Sequence, residues 1–530
     1  MATSLASPIA SEQLRQEEYR RERGFAAALV TGLTIFAVLV NGYHPYAEDG
    51  GVYLPEIKRL LDPSLYPRGS EFVMGHLRYS LFAPAMAELV RVTHVSLGAV
   101  LLAVHLASYW MTLFAAWLLA ARCYESRVAR SGAVTLLAVW MTLPIAGTSL
   151  MLMDPYVTAR SLSTPCALLA VVGAMEFLRP RYGTEYGERW WRGLVVCCAA
   201  LVGACAMHPL MGTYALGSVI VMGVLLAESR AVRVWGTVGL TLTAVAMAGG
   251  MQLAAAPESG AYQRIMLTRD YWFLSEWHWY ELIGLAAPLV ILAVVGWRWR
   301  GEDDGVRRGL ARMGVVVGGT AIVVAGLFAR TGMTVHVVAR MQPLRVFQLV
   351  YVVMTLVVGA ELAERVLQRQ PLRWVAAFAL LAGVMVTAER RTFPASRHLE
   401  LPGMTEVGGN AWERAFIWIS RSTPKDALLA LDAQYITAPG EDAQGFRAIA
   451  ERSALPDYSK DGGLVTNRPD LASAWVEGQA AQVGLNVEED AWRVARLEPL
   501  GVSWVVLERG AVTAFVCEYA NEAVKVCRLP

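Results

Sequence analysis

The chain has 530 residues, 55% of them hydrophobic and 17% charged, with a formal net charge of +2. An ordinary soluble domain carries about 25% charged residues, so the composition argues against one large soluble fold and excludes a disordered chain, a coiled coil and a disulfide-rich miniprotein. The near-neutral total leaves no electrostatic footprint for nucleic acid.

Residues 1–23 are polar and carry Arg15, Arg20, Arg21 and Arg23. They read as a cytoplasmic segment ahead of an uncleaved anchor. A spanning helix needs about 20 mostly apolar residues. About eleven stretches qualify: 24–41, 97–121, 131–150, 161–178, 193–208, 212–227, 235–255, 282–297, 313–329, 345–361 and 373–388. His208-Pro209 divides a run that is otherwise apolar, which reads as two helices and a tight turn. One long kinked helix is the alternative, and it would invert everything downstream. Arg crowds alternate connections, at 122–130, 179–192, 230–233, 298–312 and 365–373. The positive-inside rule places these with the N-terminus in the cytoplasm.

Residues 42–96 then form a long first outer loop. Within it, 76–92 contains Arg78, Glu88 and Arg91. It reads as an amphipathic helix lying at the outer interface. The expected architecture is thus a polytopic α-helical membrane domain over 24–388 and a small outer, periplasmic α/β domain over 389–530. In that last part, helix-like segments at 411–421, 444–453, 468–482 and 488–497 alternate with strand-like ones at 427–432, 502–508, 512–518 and 523–528. Cys517 and Cys527 lie symmetrically about a hairpin turn near Asn521-Glu522. Outside the cytoplasm they would form a disulfide; two buried thiols are the alternative. The other cysteines, Cys123, Cys166, Cys197, Cys198 and Cys205, suit small apolar filler among helices.

The first outer loop opens Asn41-Gly42-Tyr43-His44-Pro45-Tyr46-Ala47-Glu48-Asp49-Gly50-Gly51. A carboxylate here could deprotonate an acceptor hydroxyl or hold a divalent metal beside a leaving phosphate. Glu48 or Asp49 could equally cap the helix that follows. Other outer loops carry Asp154 and Arg160; His208; Arg264, Arg269 and an aromatic cluster over 271–280 with His278; and His336, Arg340 and Arg345. Arg and His without a nearby acid suit a lipid-linked phosphate, although snorkelling to headgroups uses the same residues. The aromatic cluster could stack on a sugar or form an interfacial belt. A polar run in the last domain, with Asp432, Glu441, Asp442, Arg447, Glu451, Arg452, Asp457, Lys460 and Asp461, could cover a site or form a solvated face held by Arg–carboxylate pairs.

With its acidic pair Glu48-Asp49 in a long first outer loop, amphipathic helices there, about eleven spans and an outer α/β domain, the chain resembles the GT-C superfamily of membrane glycosyltransferases. It also resembles bacterial membrane proteins of that layout with no assigned substrate. The first resemblance implies a polyprenyl-phosphate-linked sugar donor, an acceptor at the outer face of the bacterial inner membrane, and Asp49 or Glu48 as catalytic carboxylate. It makes Asp49 and Asp154 the residues for a divalent metal. Read from the outer loops themselves, His44, Tyr46, Arg160, His208, Arg264, Arg269, His278, His336, Arg340 and Arg345 are candidates for substrate binding. No motif like WWDYG is present, which disfavours transfer of a preassembled glycan to Asn. A lipid or solute transporter, or a scaffold protein, is the rival; the scarcity of charge within the spans argues against proton-coupled transport.

Overall fold

Each of the eleven apolar stretches contains a helix in the computed structural model, which describes residues 8–75, 78–178, 186–299, 305–403, 409–437, 442 and 444–530. Arg179, Arg181, Arg300 and Glu441 lie outside them. The chain runs through α1 (Pro8–Asn41), then α2 (Gly50–Leu61), α3 (Ser70–Val73) and α4 (Phe82–Thr93) in the first long loop. It continues through α5 (Leu97–Cys123), α6 (Arg127–Val139), α7 (Ala159–Phe177), α8 (Tyr186–Met207), α9 (Pro209–Leu225) and α10 (Arg230–Ala254). After short α11 (Gly260–Met266) come α12 (Trp279–Arg298), α13 (Gly305–Phe328), short α14 (Val337–Met341), α15 (Phe347–Leu362) and α16 (Pro371–Thr392). Among the described residues, 8 helices are long and apolar enough to cross a membrane, the mark of a multi-pass membrane protein.

Helices α6, α7 and α9 are not among those 8. The helix expected through residue 150 stops at Val139, because Pro144 cannot donate a helical hydrogen bond and disfavours helix at Leu143. The chain turns there instead, with Ala146 and Ser149 at positive φ and Pro144 bridged to Met151. Asn41 ties this turn to the end of α1, accepting from Thr142 N at 3.2 Å and Thr142 Oγ1 at 2.8 Å. The break at His208-Pro209 does separate two helices, with His208 in extended backbone as the cap of α9. Helix α15 is buried on most sides against α6, α12 and α13. Its approach to α6 requires glycine: a Cβ on Gly132 would lie 2.5 Å from the Gly359 carbonyl oxygen.

The C-terminal region holds α17 (Ala411–Ser422), α18 (Phe446–Ala450), α19 (Lys460–Val465), α20 (Ala472–Gln482) and α21 (Asp490–Leu497). These surround a sheet ordered β2-β1-β3-β5-β4, with β1 (Leu428–Ala430), β2 (Ser453–Ala454), β3 (Trp504–Glu508), β4 (Cys517–Ala520) and β5 (Val524–Arg528). Strand β1 pairs parallel with β2 and β3, while β5 pairs antiparallel with β3 and β4. Side chains alternate across β3 as strand geometry demands. Trp504 and Val506 join Phe416 and Phe446 on one face; Val505 and Leu507 join Leu485 and Leu497 on the other. The strand expected over 512–518 begins only at Cys517, and neither β2 nor α19 was anticipated. Cys517 and Cys527 face each other across β4 and β5 and are joined by a disulfide.

This region docks on the first long loop and on the segment before α12. Gly51 and Gly445 touch backbone to backbone, where a Cβ on Gly51 would sit 2.8 Å from Gly445 Cα. Tyr66 donates to the Arg447 carbonyl at 2.7 Å, and Tyr262 to the Thr466 carbonyl at 2.6 Å. A buried polar group closes the joint on the other side. His44 sits between Glu389 of α16, at 2.9 Å, and Glu400, at 3.3 Å, with the Phe393 ring stacked on it. His398 shares Glu389 at 2.7 Å.

Burial alone would lower the His44 pKa, but its bonds to Glu389 and Glu400 outweigh that and raise it above its ordinary value. His398 is raised as well, chiefly by Glu389. A raised pKa means stability that is complete below about pH 6.5 and lost as pH rises through the folded-state value. The unfolding temperature of the detergent-solubilised protein is therefore expected to fall from pH 6.5 upward, and His44→Gln/His398→Gln to flatten that fall. A variant with an unchanged pH profile would contradict the assignment.

Candidate functional site

The first loop leaves α1 through a tight turn in which Glu48 has a φ of +46°. A non-glycine residue in this region is strained, and such strain gathers at working sites. Asp49 follows at the N-cap position of α2, but its side chain makes no capping bond. The carboxylate points away from the helix instead. Its Oδ2 accepts from Arg160 at 2.9 Å and its Oδ1 from Lys460 at 3.3 Å. Lys460 also bonds Glu48.

Arg160 stands in the first turn of α7, where Thr158 and Ser161 form a reciprocal cap. Its second nitrogen donates to Asp154 Oδ2 at 2.8 Å, and Thr158 Oγ1 approaches the same oxygen at 3.3 Å. One guanidinium thus joins two carboxylates of unlike exposure, 33% for the Asp49 side chain and 4% for Asp154. Partial burial would push the Asp49 carboxyl up; Lys460 and Arg160 outweigh it and hold the group well below the usual carboxylate range. Burial pushes Asp154 up, and Arg160 opposes this without cancelling it. Lys460 is raised, since Glu48 and Asp49 outweigh its desolvation.

Asp49 and Arg160 open onto a cavity of about 320 Å³, the lower end of the size range for small-molecule sites. His208, Arg269, Arg340, Arg345 and Lys460 also line it, with Tyr53, Tyr79, Tyr271, Trp272, Gln342 and Asn467 between them. Two helix starts and one turn open into this space. Ala159 and Arg160 begin α7, Pro209 and Leu210 begin α9, and Gln342 and Arg345 lie in the turn leading into α15. Helix N-termini carry partial positive charge and free N–H groups, so they favour anions. The Nε atoms of Arg340 and Arg345 are buried without a hydrogen-bond partner. Among the described residues, no carboxylate forms an ion pair with either side chain. The cavity therefore presents two unneutralised guanidinium groups opposite one ionised carboxylate.

Of the residues singled out from sequence, Asp49, Arg160, His208, Arg269, Arg340 and Arg345 share this cavity, while Glu48 and Asp154 bond to its walls. Arg269 is spent on structure, donating to the Ser459 and Tyr458 carbonyls at 2.6 Å each. Five candidates stand elsewhere. His44 is enclosed by Glu389 and Glu400. Tyr46 packs between the first loop and the C-terminal core, where its carbonyl accepts from Gly445. Arg264 points outward from α11, and His278 caps α12 with its ring exposed against Tyr280. His336 is buried and bonded to Glu258 at 2.8 Å. Lys460 belongs to the polar run that could cover a site or form a solvated face, and it is the member that reaches the cavity. Its neighbours form ion pairs, but Arg447 reaches both oxygens of the buried Asp461 at 2.8 Å, and Lys58 bonds Glu451 at 2.6 Å.

Among the described residues, no group of three or more His, Cys, Asp and Glu side chains is disposed to hold a metal ion. Asp49 and Asp154 do not fit one as they stand, because Arg160 fills the space between them.

No family model matches the chain, and no curated protein matches it. Solved structures that resemble it include the oligosaccharyltransferase of Archaeoglobus fulgidus crystallised with zinc and sulfate. That match has a TM-score of 0.49 at 12% identity and covers 91% of this chain and 68% of the other. The apo form of the same enzyme gives a TM-score of 0.46 at 12% identity, over 91% and 69% of the two chains.

Breaking a buried ion pair costs about 3–5 kcal/mol, whereas an exposed pair is worth about 0–1 kcal/mol. Asp154→Ala, which removes the buried partner of Arg160 and leaves it only Asp49, is expected to lower unfolding stability in detergent towards the larger amount. Asp49→Asn, which leaves the buried Arg160–Asp154 pair intact, should cost clearly less. Equal losses would show that Arg160 is not anchored from the buried side.

Proposed function

We propose that the chain is a GT-C-type membrane glycosyltransferase that moves a sugar from a polyprenyl-phosphate-linked donor to an acceptor hydroxyl. In this reading the N-terminus is cytoplasmic, and the cavity and C-terminal domain face the outer side of the bacterial inner membrane. The observation that carries it is the pairing of one ionised carboxylate, Asp49, with two unneutralised arginines, Arg340 and Arg345, in a cavity onto which the N-termini of α7 and α9 open. A phosphate diester on a lipid carrier is the anion such a wall suits. The Tyr53 and Tyr271 rings and the amides of Gln342 and Asn467 suit the sugar's faces and hydroxyls. A disulfide between Cys517 and Cys527 agrees with an oxidising compartment. The charges gather at helix ends, which favours an interfacial reaction over carriage through the bundle.

The chemistry assigns each group a task. The acceptor oxygen bonds to the anomeric carbon as the bond from that carbon to the phosphate oxygen breaks. The departing polyprenyl phosphate gains negative charge, which Arg345, Arg340 and the helix starts stabilise where it develops. Asp49 takes the acceptor's proton, and it becomes a stronger base when the acceptor displaces Lys460 from Oδ1.

Loss of a general base lowers rate by about 10²–10⁴-fold. Asp49→Asn in proteoliposomes supplied with a polyprenyl-phosphate-linked sugar is expected to lose transfer in that range, at normal expression. Arg345→Gln should also be impaired, and Glu48→Gln should lose less. Full transfer by Asp49→Asn and by Glu48→Gln would remove the catalytic reading.

A further inference from the structure

Metal-dependent chemistry at paired carboxylates needs a cation that both can reach. Here the two oxygens that would bridge such an ion are Asp49 Oδ2 and Asp154 Oδ2, and both are taken by Arg160, at 2.9 and 2.8 Å. The other oxygen of Asp49 faces Lys460. Arg160 cannot swing out cheaply. Its side chain is 5% exposed, and leaving would strand Asp154, which is 4% exposed, as an unpaired buried charge. Charge balance points the same way. Glu48, Asp49 and Asp154 are already paired with Arg160 and Lys460, and the unneutralised Arg340 and Arg345 line the same cavity. A divalent ion would add two positive charges to a site that is not short of them.

We infer that Arg160 is the resident cation of this site, holding the place between Asp49 and Asp154 that a divalent ion would otherwise bridge. The native protein therefore takes no divalent ion at these carboxylates. Arg160 acts as a positioning residue: it holds Asp49 ionised and aimed at the cavity, with Asp154 as its buried anchor. Being covalently attached, it does this at any ionic composition of the medium. A further consequence is that the guanidinium masks a two-carboxylate site, which its removal uncovers.

The proposal rests on Asp49 being the working carboxylate, but ion binding is read without any transfer reaction, so the two can fail separately. The probe is Mn²⁺ alone, titrated into the full-length protein in detergent and followed by the loss of its free-ion EPR signal. Wild type and Asp49→Asn are expected to give superimposable curves. Arg160→Ala should gain saturable Mn²⁺ binding that disappears in Arg160→Ala/Asp49→Asn. Binding by wild type that Asp49→Asn abolishes would overturn the inference. So would a folded Arg160→Ala that gains no binding. If Arg160→Ala does not fold, Arg160→Ser, whose hydroxyl can donate to Asp154, takes its place, and the comparison of wild type with Asp49→Asn decides on its own.

Discussion

A single guanidinium shared by a buried and a half-exposed carboxylate sets the geometry of the whole site. Arg160 belongs to α7, Asp154 to the turn before it, and Asp49 to the loop that follows α1. Desolvation makes the inner pair expensive to break, so the position of Asp49 is held from beneath by charge rather than by helix capping. Lys460 completes the arrangement from the C-terminal region. That region in turn is held by Arg269 and Tyr262, whose donors satisfy backbone carbonyls beside α19. The site is therefore a product of docking: the helical bundle supplies the arginines, the first loop the carboxylate, and the C-terminal region the ammonium.

Around this anchor, the fold supplies positive potential in two forms. The starts of α7 and α9 and the turn into α15 bring backbone dipoles to one cavity, and Arg340 and Arg345 bring full charges. Helix α9 starts there because Pro209 cannot continue α8 and is well suited to a first helical turn. The turn at 140–158 comes from Pro144, which shortens α6 and leaves room for Asp154 beneath the cavity floor. Two prolines that interrupt apolar sequence thus shape the polar site.

Much of this was legible beforehand, because apolar periodicity and run length carry strong signals. The helix at each apolar stretch, the His208-Pro209 break, the amphipathic α4 and most of the alternating elements of the C-terminal region follow from local pattern. The end of α6 was missed at a local signal, Pro144; where side-chain placement failed, a long-range contact was responsible. Lys460 lies among Arg447 and Asp461, which pair with each other, and Asp457, which accepts from the Lys460 backbone N–H; only docking turns its side chain toward Asp49. His44 precedes Asp49 by five positions, yet the turn between them sends one ring toward Glu389 and the other side chain toward the cavity. Arg264 and Arg269 share a segment, but α11 faces one outward and the chain beyond it carries the other inward. Loop membership selected the right neighbourhood; side-chain direction depended on local backbone that spacing does not encode.

The central claim is that Arg340, Arg345 and the starts of α7 and α9 form an anion site facing Asp49. An electron cryomicroscopy map of the protein with a polyprenyl phosphate in lipid nanodiscs tests it directly. The account predicts phosphate density within hydrogen-bond distance of Arg345, on the cavity side of Asp49, with Arg160 still bridging the two carboxylates. Phosphate density at another face of the helices, with the cavity empty, would contradict it.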